Sequence, residues 1–230
     1  MIIIIVVIVS VLSFALFFIT IRHPITRISS YLNPSLGETK LDKLRLAIAL
    51  IFCLLSYAIL PNSLRRTLSL ISATLSEGAT VNIAECRYCL SDIGDLFILN
   101  PVCEAEVWRY LKLKPGDIFF DVGAHIGKYT IPAAKKVGPE GKVIAIEPHP
   151  VNFKYLKRNI ELNNVTANVI AVKAAAYHLN TWLPLYIAER SRWHTVRPDV
   201  TGRSRTRAIY VKTVRLDELA EKYGYPDWVK

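Results

Sequence analysis

Cysteine is scarce, with four in 230 residues, and that number does not make a disulfide scaffold. Three of the four fall as Cys86-x-x-Cys89 and Cys103. Zinc needs four ligands at suitable spacing and no second pair is visible, so no metal centre is expected. Small residues in a strand pair are the preferred reading there, ahead of redox pairing. Internal repeats and low-complexity tracts are missing, and with 52% hydrophobic residues disorder and collagen-like structure are excluded. Acidic residues are also short, 19 against 29 basic ones. Residues 1–110 hold 9 Lys+Arg against 8 Asp+Glu, leaving 20 against 11 in residues 111–230, so the basic excess lies in the second half.

What is present in quantity is apolar sequence. A mean hydropathy of +0.28 beside a charged fraction of 21% points to an apolar segment joined to an ordinary globular part. Ile2 to Ile21 form a run of 20 broken only by Ser10, Ser13 and Thr20, the length needed to span hydrocarbon. Leu46 to Leu60 form a second stretch of 15 before Pro61, borderline for spanning. The intervening segment carries Arg22, Arg27, Lys40, Lys43 and Arg45 against Glu38 and Asp42, which places it in the cytoplasm by the positive-inside rule. The expectation is one spanning helix with the second stretch in the interface, a membrane location and a cytoplasmic globular domain. Residues 1–22 are then an anchor, 23–80 a linker holding the apolar helix 46–60, and 81–230 the globular domain.

Within that domain, Glu104 to Leu111 reads as a helix and Asp117 to Asp121 as a buried strand feeding the glycine loop Val-Gly-Ala-His-Ile-Gly127. Lys128 to Val137 reads as a helix closed by Gly138, and Lys142 to Glu147 as a second strand. Pro150 opens another helix with Phe153, Leu156 and Ile160 at helical spacing, and Val169 to Ala176 gives a third strand. Strands alternating with helices imply an α/β fold with a parallel sheet covered on both faces. Thr181 to Ile187 and Ala208 to Val214 read as a hairpin, and Asp217 to Lys222 as a short helix.

Glycines between strand and helix let a ligand approach backbone N–H groups closely. The dinucleotide fingerprint has three glycines, whereas here Gly123 and Gly127 frame Ala124-His125-Ile126, preceded by Asp121. That carboxylate repels a pyrophosphate but not a ligand bearing an ammonium and a sulfonium, so S-adenosylmethionine fits better than NAD. Glu147, 20 residues after Gly127, stands where an acid can accept both hydrogen bonds of a ribose diol, and Pro148 stops the strand.

The stretches "GDIFFDVGAHIGKYT", "VIAIEPHPVNFKYLKRNIELNN" and "VKTVRLDEL" resemble the FkbM-type methyltransferase family from about Leu99 onward. The resemblance implies a class I methyltransferase Rossmann-like fold with its N-terminal half present, and the apolar transmembrane segment read from Ile2–Ile21 would precede it. It implies transfer of a methyl group from S-adenosylmethionine to a hydroxyl, on a glycan, lipid-linked sugar or similar acceptor. Its cofactor loop maps onto Asp121, Gly123, Ala124, His125 and Gly127, and its ribose acid onto Glu147 with Pro148 following. His125 stands where asparagine is common and either contacts the cofactor or caps the loop. Family members continue past "DWVK" into a strand bearing Asp-x-Glu-Gly, so no general base carries over. The expectation is an open edge on the first strand, a second chain completing the sheet, and little transfer by this chain alone. A non-catalytic fragment or scaffold keeping a cofactor-binding half-domain is the alternative, and a dinucleotide-binding oxidoreductase the further one.

Arg190, Arg192, Arg197, Arg203, Arg205 and Arg207 surround Trp193 and His194 with only Glu189 and Asp199 as acids. This patch is expected to meet anionic lipid or a lipid-linked glycan acceptor, or to be a solvated insertion. Nucleic acid is not expected as a partner, because no nucleic-acid module accompanies the charge.

Overall fold

The structure is a computed structural model that describes residues 36–56, 61–187 and 207–230. Two compact units divide the chain, Met1–Asn82 with Leu90–Asn100, and Ile83–Cys89 with Pro101–Lys230.

In the first unit, α1 (Lys40–Leu55) starts on a capping box in which Thr39 and Asp42 satisfy each other's backbone donors. Its Leu46 and Ala49 are fully buried, and Ser72 of α2 (Asn62–Ser76) donates to the Ala49 carbonyl at 2.7 Å. Arg45 of α1 donates to the Leu75 carbonyl at 3.1 Å. β1 (Thr80–Ile83) follows, and Asp95 opens α3 (Asp95–Leu99) by accepting from the Ser91 N–H at 2.6 Å.

These elements correct the membrane reading. Among the described residues no helix is long and apolar enough to cross a membrane. α1 begins at Lys40 with Asp42, Lys43 and Arg45 in its first turns, and it buries Leu46 and Ala49 in the protein. The expected transmembrane helical segment, the membrane-embedded second stretch and the membrane location drawn from them are therefore not upheld. Ile2–Ile21, on which the anchor rested, and residues 57–60 lie outside the described residues.

The second unit holds β2 (Cys86–Cys89), α4 (Ala105–Tyr110), β3 (Ile118–Val122), α5 (Thr130–Val137), β4 (Lys142–Ile146), α6 (Pro150–Leu162) and β5 (Val169–Val172). β6 (Ala175–Ala176), β7 (Trp182–Ile187), β8 (Arg207–Val214), α7 (Leu216–Tyr223) and β9 (Trp228–Val229) complete it. A parallel sheet runs β5-β4-β3-β9, the α/β Rossmann-like arrangement expected. Phe120, Ile144 and Ile146 turn one sheet face toward Leu219 and Ala220 of α7 in one buried cluster. The continuous apolar runs of β3 and β4 reflect burial on both faces.

Three details differ from expectation. The open edge on β3 is taken: Phe119 pairs with Trp228 and Phe120 with Val229, and Asp227 accepts from the Ile118 N–H through Oδ2 at 2.8 Å. The third strand breaks after Val172, and β6 pairs instead with β8 in a separate sheet ordered β6-β8-β7. Val81 to Leu99 read in the sequence as short strands around Cys86 to Ser91, yet they include the helix α3, because Asp95 finds donors that a strand would not present.

Candidate functional site

The site forms where β3 and β4 end side by side. Val122 pairs with Ile146, and the loop then bends back so that the Gly123 and Ala124 N–H groups both donate to the Ile146 carbonyl, at 2.9 and 3.0 Å. Such a bend needs left-handed backbone, seen at Gly123 (φ 79°), His125 (φ 53°) and Gly127 (φ 102°). An added Cβ on Gly123 meets nothing within 4 Å, so a ligand can approach the backbone there, whereas at Gly127 it would meet Ile131 and Leu156 side chains at 3.2 Å. Gly127→Ala is therefore expected to lower stability by about 2 kcal/mol and Gly123→Ala by about 1 kcal/mol, as read by chemical denaturation.

Glu147 follows β4 and is buried, with 5% of its surface exposed. Its Oε2 accepts from the His125 N–H at 2.9 Å and its Oε1 from the His149 N–H at 2.9 Å, with the Asn152 amide at 3.4 Å. One carboxylate thus ties the glycine loop to the first turn of α6, whose cap is His149. Burial pushes its pKa up, opposed by the hydrogen bonds from His149, His125 and Asn152. Oε2 keeps a second lone pair for a ligand donor, whereas Oε1 already accepts from both His149 and Asn152. Pro148 sits in the short connection that carries Glu147 into α6.

Asp121 is fully buried. Its Oδ2 accepts from the Thr130 hydroxyl at 2.6 Å, while Oδ1 lies 3.7 Å from the Lys230 ammonium. Burial raises its pKa, and Lys230 and Thr130 act against that. Beside this pair, Tyr129 is 2% exposed and donates through its hydroxyl to Glu104 at 3.0 Å. Lys128 donates to Glu104 at 3.1 Å and to the Cys103 carbonyl at 2.5 Å. Trp108 stacks on Tyr129 with centroids 4.7 Å apart, and the Lys230 ammonium stands 4.7 Å from the same ring. Burial pushes Glu104 up, yet Lys128 and Tyr129 outweigh it and hold the carboxyl below its ordinary value.

The structure brings Asp121, Gly123, Ala124, His125, Gly127 and Glu147 to one loop at the strand ends, with Pro148 adjacent. Sequence reasoning missed Thr130, Lys230 and the Glu104–Lys128–Tyr129 group. It also missed Asn159, whose amide lies on the buried side of α6. Asn159 accepts from the Cys89 N–H at 2.7 Å and donates to the Cys89 and Ile126 carbonyls at 3.3 and 2.9 Å. An asparagine beside Leu156 and Ile160 on an apolar helix face was the signal available for it. The arginine patch 190–206 lies outside the described residues, as does the side chain of Arg207.

An S-adenosylmethionine-sized ligand can be tested against these residues. The open space at Gly123, the left-handed loop and the buried Glu147 beside it fit a nucleoside bound along the backbone.

Comparison with known proteins agrees. Residues 121–230 match the model of the Methyltransferase FkbM domain. The methyltransferase sdnD of Sordaria araneosa is 30% identical over 98 residues, 43% of this chain and 38% of that protein. The tRNA (guanine(37)-N(1))-methyltransferase of Leishmania major is 43% identical over 61 residues, 26% of this chain and 8% of that protein. This chain thus covers well under two thirds of the curated relatives it matches. Among solved structures, M. jannaschii TYW2 in complex with AdoMet is 29% identical, covering 42% of this chain and 43% of that one at a TM-score of 0.36. Several relatives being tRNA methyltransferases, the expectation against nucleic acid is not upheld. For residues 121–230 the resemblance to the FkbM-type methyltransferases, a family whose cofactor is S-adenosylmethionine, is shown.

Proposed function

We propose that residues 81–230 form a methyltransferase domain that binds S-adenosylmethionine on Asp121, Gly123, Ala124, His125, Gly127, Glu147 and Pro148 and serves transfer to an acceptor oxygen. The observation that carries this reading is the buried Glu147 carboxylate clamped to the glycine loop through the His125 N–H. When bound, the cofactor supplies an electrophilic methyl on a sulfonium. Glu147 and the open backbone at Gly123 fix the nucleoside, and the Asp121 carboxylate, paired with Lys230, lies at the strand end beside them. An acceptor hydroxyl held in line with the methyl needs positioning more than a strong base, and no base is assigned. The FkbM resemblance supports a hydroxyl acceptor on a glycan or lipid-linked sugar. The tRNA methyltransferases among the relatives support a nucleic-acid acceptor, yet they share only 57 to 71 residues with this chain.

Calorimetry on the full chain tests the proposal. S-adenosylmethionine is expected to bind and NAD is not, and Asp121→Asn is expected to weaken binding about tenfold by removing one charge interaction. A folded chain that binds neither compound overturns the reading, and one that binds NAD alone favours an oxidoreductase.

A further inference from the structure

Lys230 follows β9, on the far side of β3 from Glu147. Its N–H donates to the Phe120 carbonyl at 2.9 Å and its carbonyl accepts from the Val122 N–H at 3.0 Å, so β3 grips it on both sides of Asp121. The register that pairs Phe120 with Val229 then sets the Asp121 and Lys230 side chains next to each other on one face. The Lys230 ammonium stops 3.7 Å from Asp121 Oδ1, beyond hydrogen-bond distance, and lies 4.7 Å from the Tyr129 ring centroid. Its side chain is 25% exposed, and among the described residues no acceptor is within hydrogen-bond distance of its N–H donors. At the hydroxyl of the same ring stands Glu104, in a left-handed backbone conformation (φ 60°) that glutamate rarely adopts. Its Oε2 accepts from both Lys128 and Tyr129, while among the described residues none donates to Oε1. The side chain is 53% exposed. Against its burial, Lys128, Tyr129 and Lys230 hold the carboxyl below its ordinary value, so it is charged at neutral pH.

We propose that Lys230 and Glu104 form the subsite for the α-amino-acid end of the cofactor, with the Lys230 ammonium donating to its carboxylate and Glu104 Oε1 accepting from its ammonium. This inference rests on the reading of Glu147 and the glycine loop as the nucleoside site. β4, β3 and β9 lie side by side, so Glu147 and Lys230 are separated by two strand spacings, about 10 Å. An adenosine carrying an amino-acid tail spans such a gap. Charge selects the zwitterion: a phosphate would face Asp121 and Glu104, and a simple amine would face Lys128 and Lys230. A group with one charge of each sign finds a charge-assisted partner for both.

Calorimetry on the full chain with S-adenosylhomocysteine and methylthioadenosine tests this, because the two share nucleoside and thioether and differ in the amino-acid end. S-adenosylhomocysteine is expected to bind about a hundredfold more tightly, about tenfold for each charged contact. Lys230→Met is expected to weaken it about tenfold and to leave methylthioadenosine unchanged, while Lys230→Arg keeps most of the affinity. Decarboxylated S-adenosylmethionine has the ammonium without the carboxylate, so it is expected to respond to Glu104→Gln and not to Lys230→Met. Glu104 is exposed, and Glu104→Gln reads the same subsite whether or not Lys230→Met folds. Equal binding of the two nucleosides by the unaltered chain overturns the subsite and leaves the cofactor reading standing. So does a Lys230→Met chain that loses both in equal measure, since Lys230 would then act only through Asp121 and the fold. A folded chain that binds neither nucleoside overturns both readings.

Discussion

Glu147→Ala is expected to remove detectable S-adenosylmethionine binding and to lower stability by about 3 kcal/mol. The carboxylate is the shared acceptor for the His125 and His149 N–H groups, and its loss leaves both without that partner in a buried place. Each unsatisfied buried donor costs about 1–3 kcal/mol. Part of this is offset, because the carboxylate is itself disfavoured by burial, as its raised pKa records. That shift also fixes a sign. With the folded pKa above the unfolded one, the folded state holds the proton more tightly. Stability therefore falls as pH rises from the unfolded value, about 4.3, to the folded one, and is level above it. Glu147→Ala should flatten that slope, leaving the share of Asp121, whose pKa is raised in the same direction by burial. Denaturation midpoints across acid pH, together with calorimetry, check both parts. A variant that keeps binding would mean that the loop holds its shape and its ligand without the clamp.

The second large effect is expected at Asn159→Ala, with a loss of about 3 kcal/mol. Asn159 and Asn163 lie one turn apart on α6 and both bond the backbone of β2. Asn163 accepts from the Arg87 N–H at 2.9 Å and donates to the Arg87 carbonyl at 2.6 Å, as Asn159 does for Cys89. Two helical amides stand in for the neighbouring strand that β2 lacks on that side. Asn159 is fully buried and also holds the Ile126 carbonyl of the glycine loop, so water cannot replace it. Asn163 is more accessible, and Asn163→Ala should cost about 1 kcal/mol. Comparable losses in the two variants, measured by denaturant unfolding, would show that burial does not separate them.

The alternation β3-α5-β4-α6-β5 was legible because its apolar periods are local and its punctuation, Gly123, Gly127, Gly138 and Pro150, is strong. Glu147 was legible from its place at the end of a strand, although its grip on the His125 N–H was not, since a backbone donor leaves no trace in side-chain pattern. The asparagine common at the position of His125 suits the left-handed backbone found there. Contacts that join remote segments stayed hidden: Lys230 with Asp121 and Glu104 with Tyr129 need the fold before they exist. The helical apolar stretch from Leu46 misled because hydropathy alone does not distinguish a membrane from a partner helix. α1 finds that partner in α2, through Ser72 and the Arg45 side chain.

The pairing of β9 with β3 also sets an order of events. β3, β4 and β5 can assemble as soon as residues 118–172 exist, each crossover closing a short loop. The contact between Ile118 and Asp227 instead closes a loop of 109 residues, whose entropy opposes it by about 4 kcal/mol on simple chain statistics. During synthesis β3 therefore waits, unpaired on one side, until nearly all of the second unit has emerged. A chain paused before Asp227 would expose that strand to neighbouring nascent chains, which makes the interval between synthesis of β3 and of Asp227 a vulnerable one.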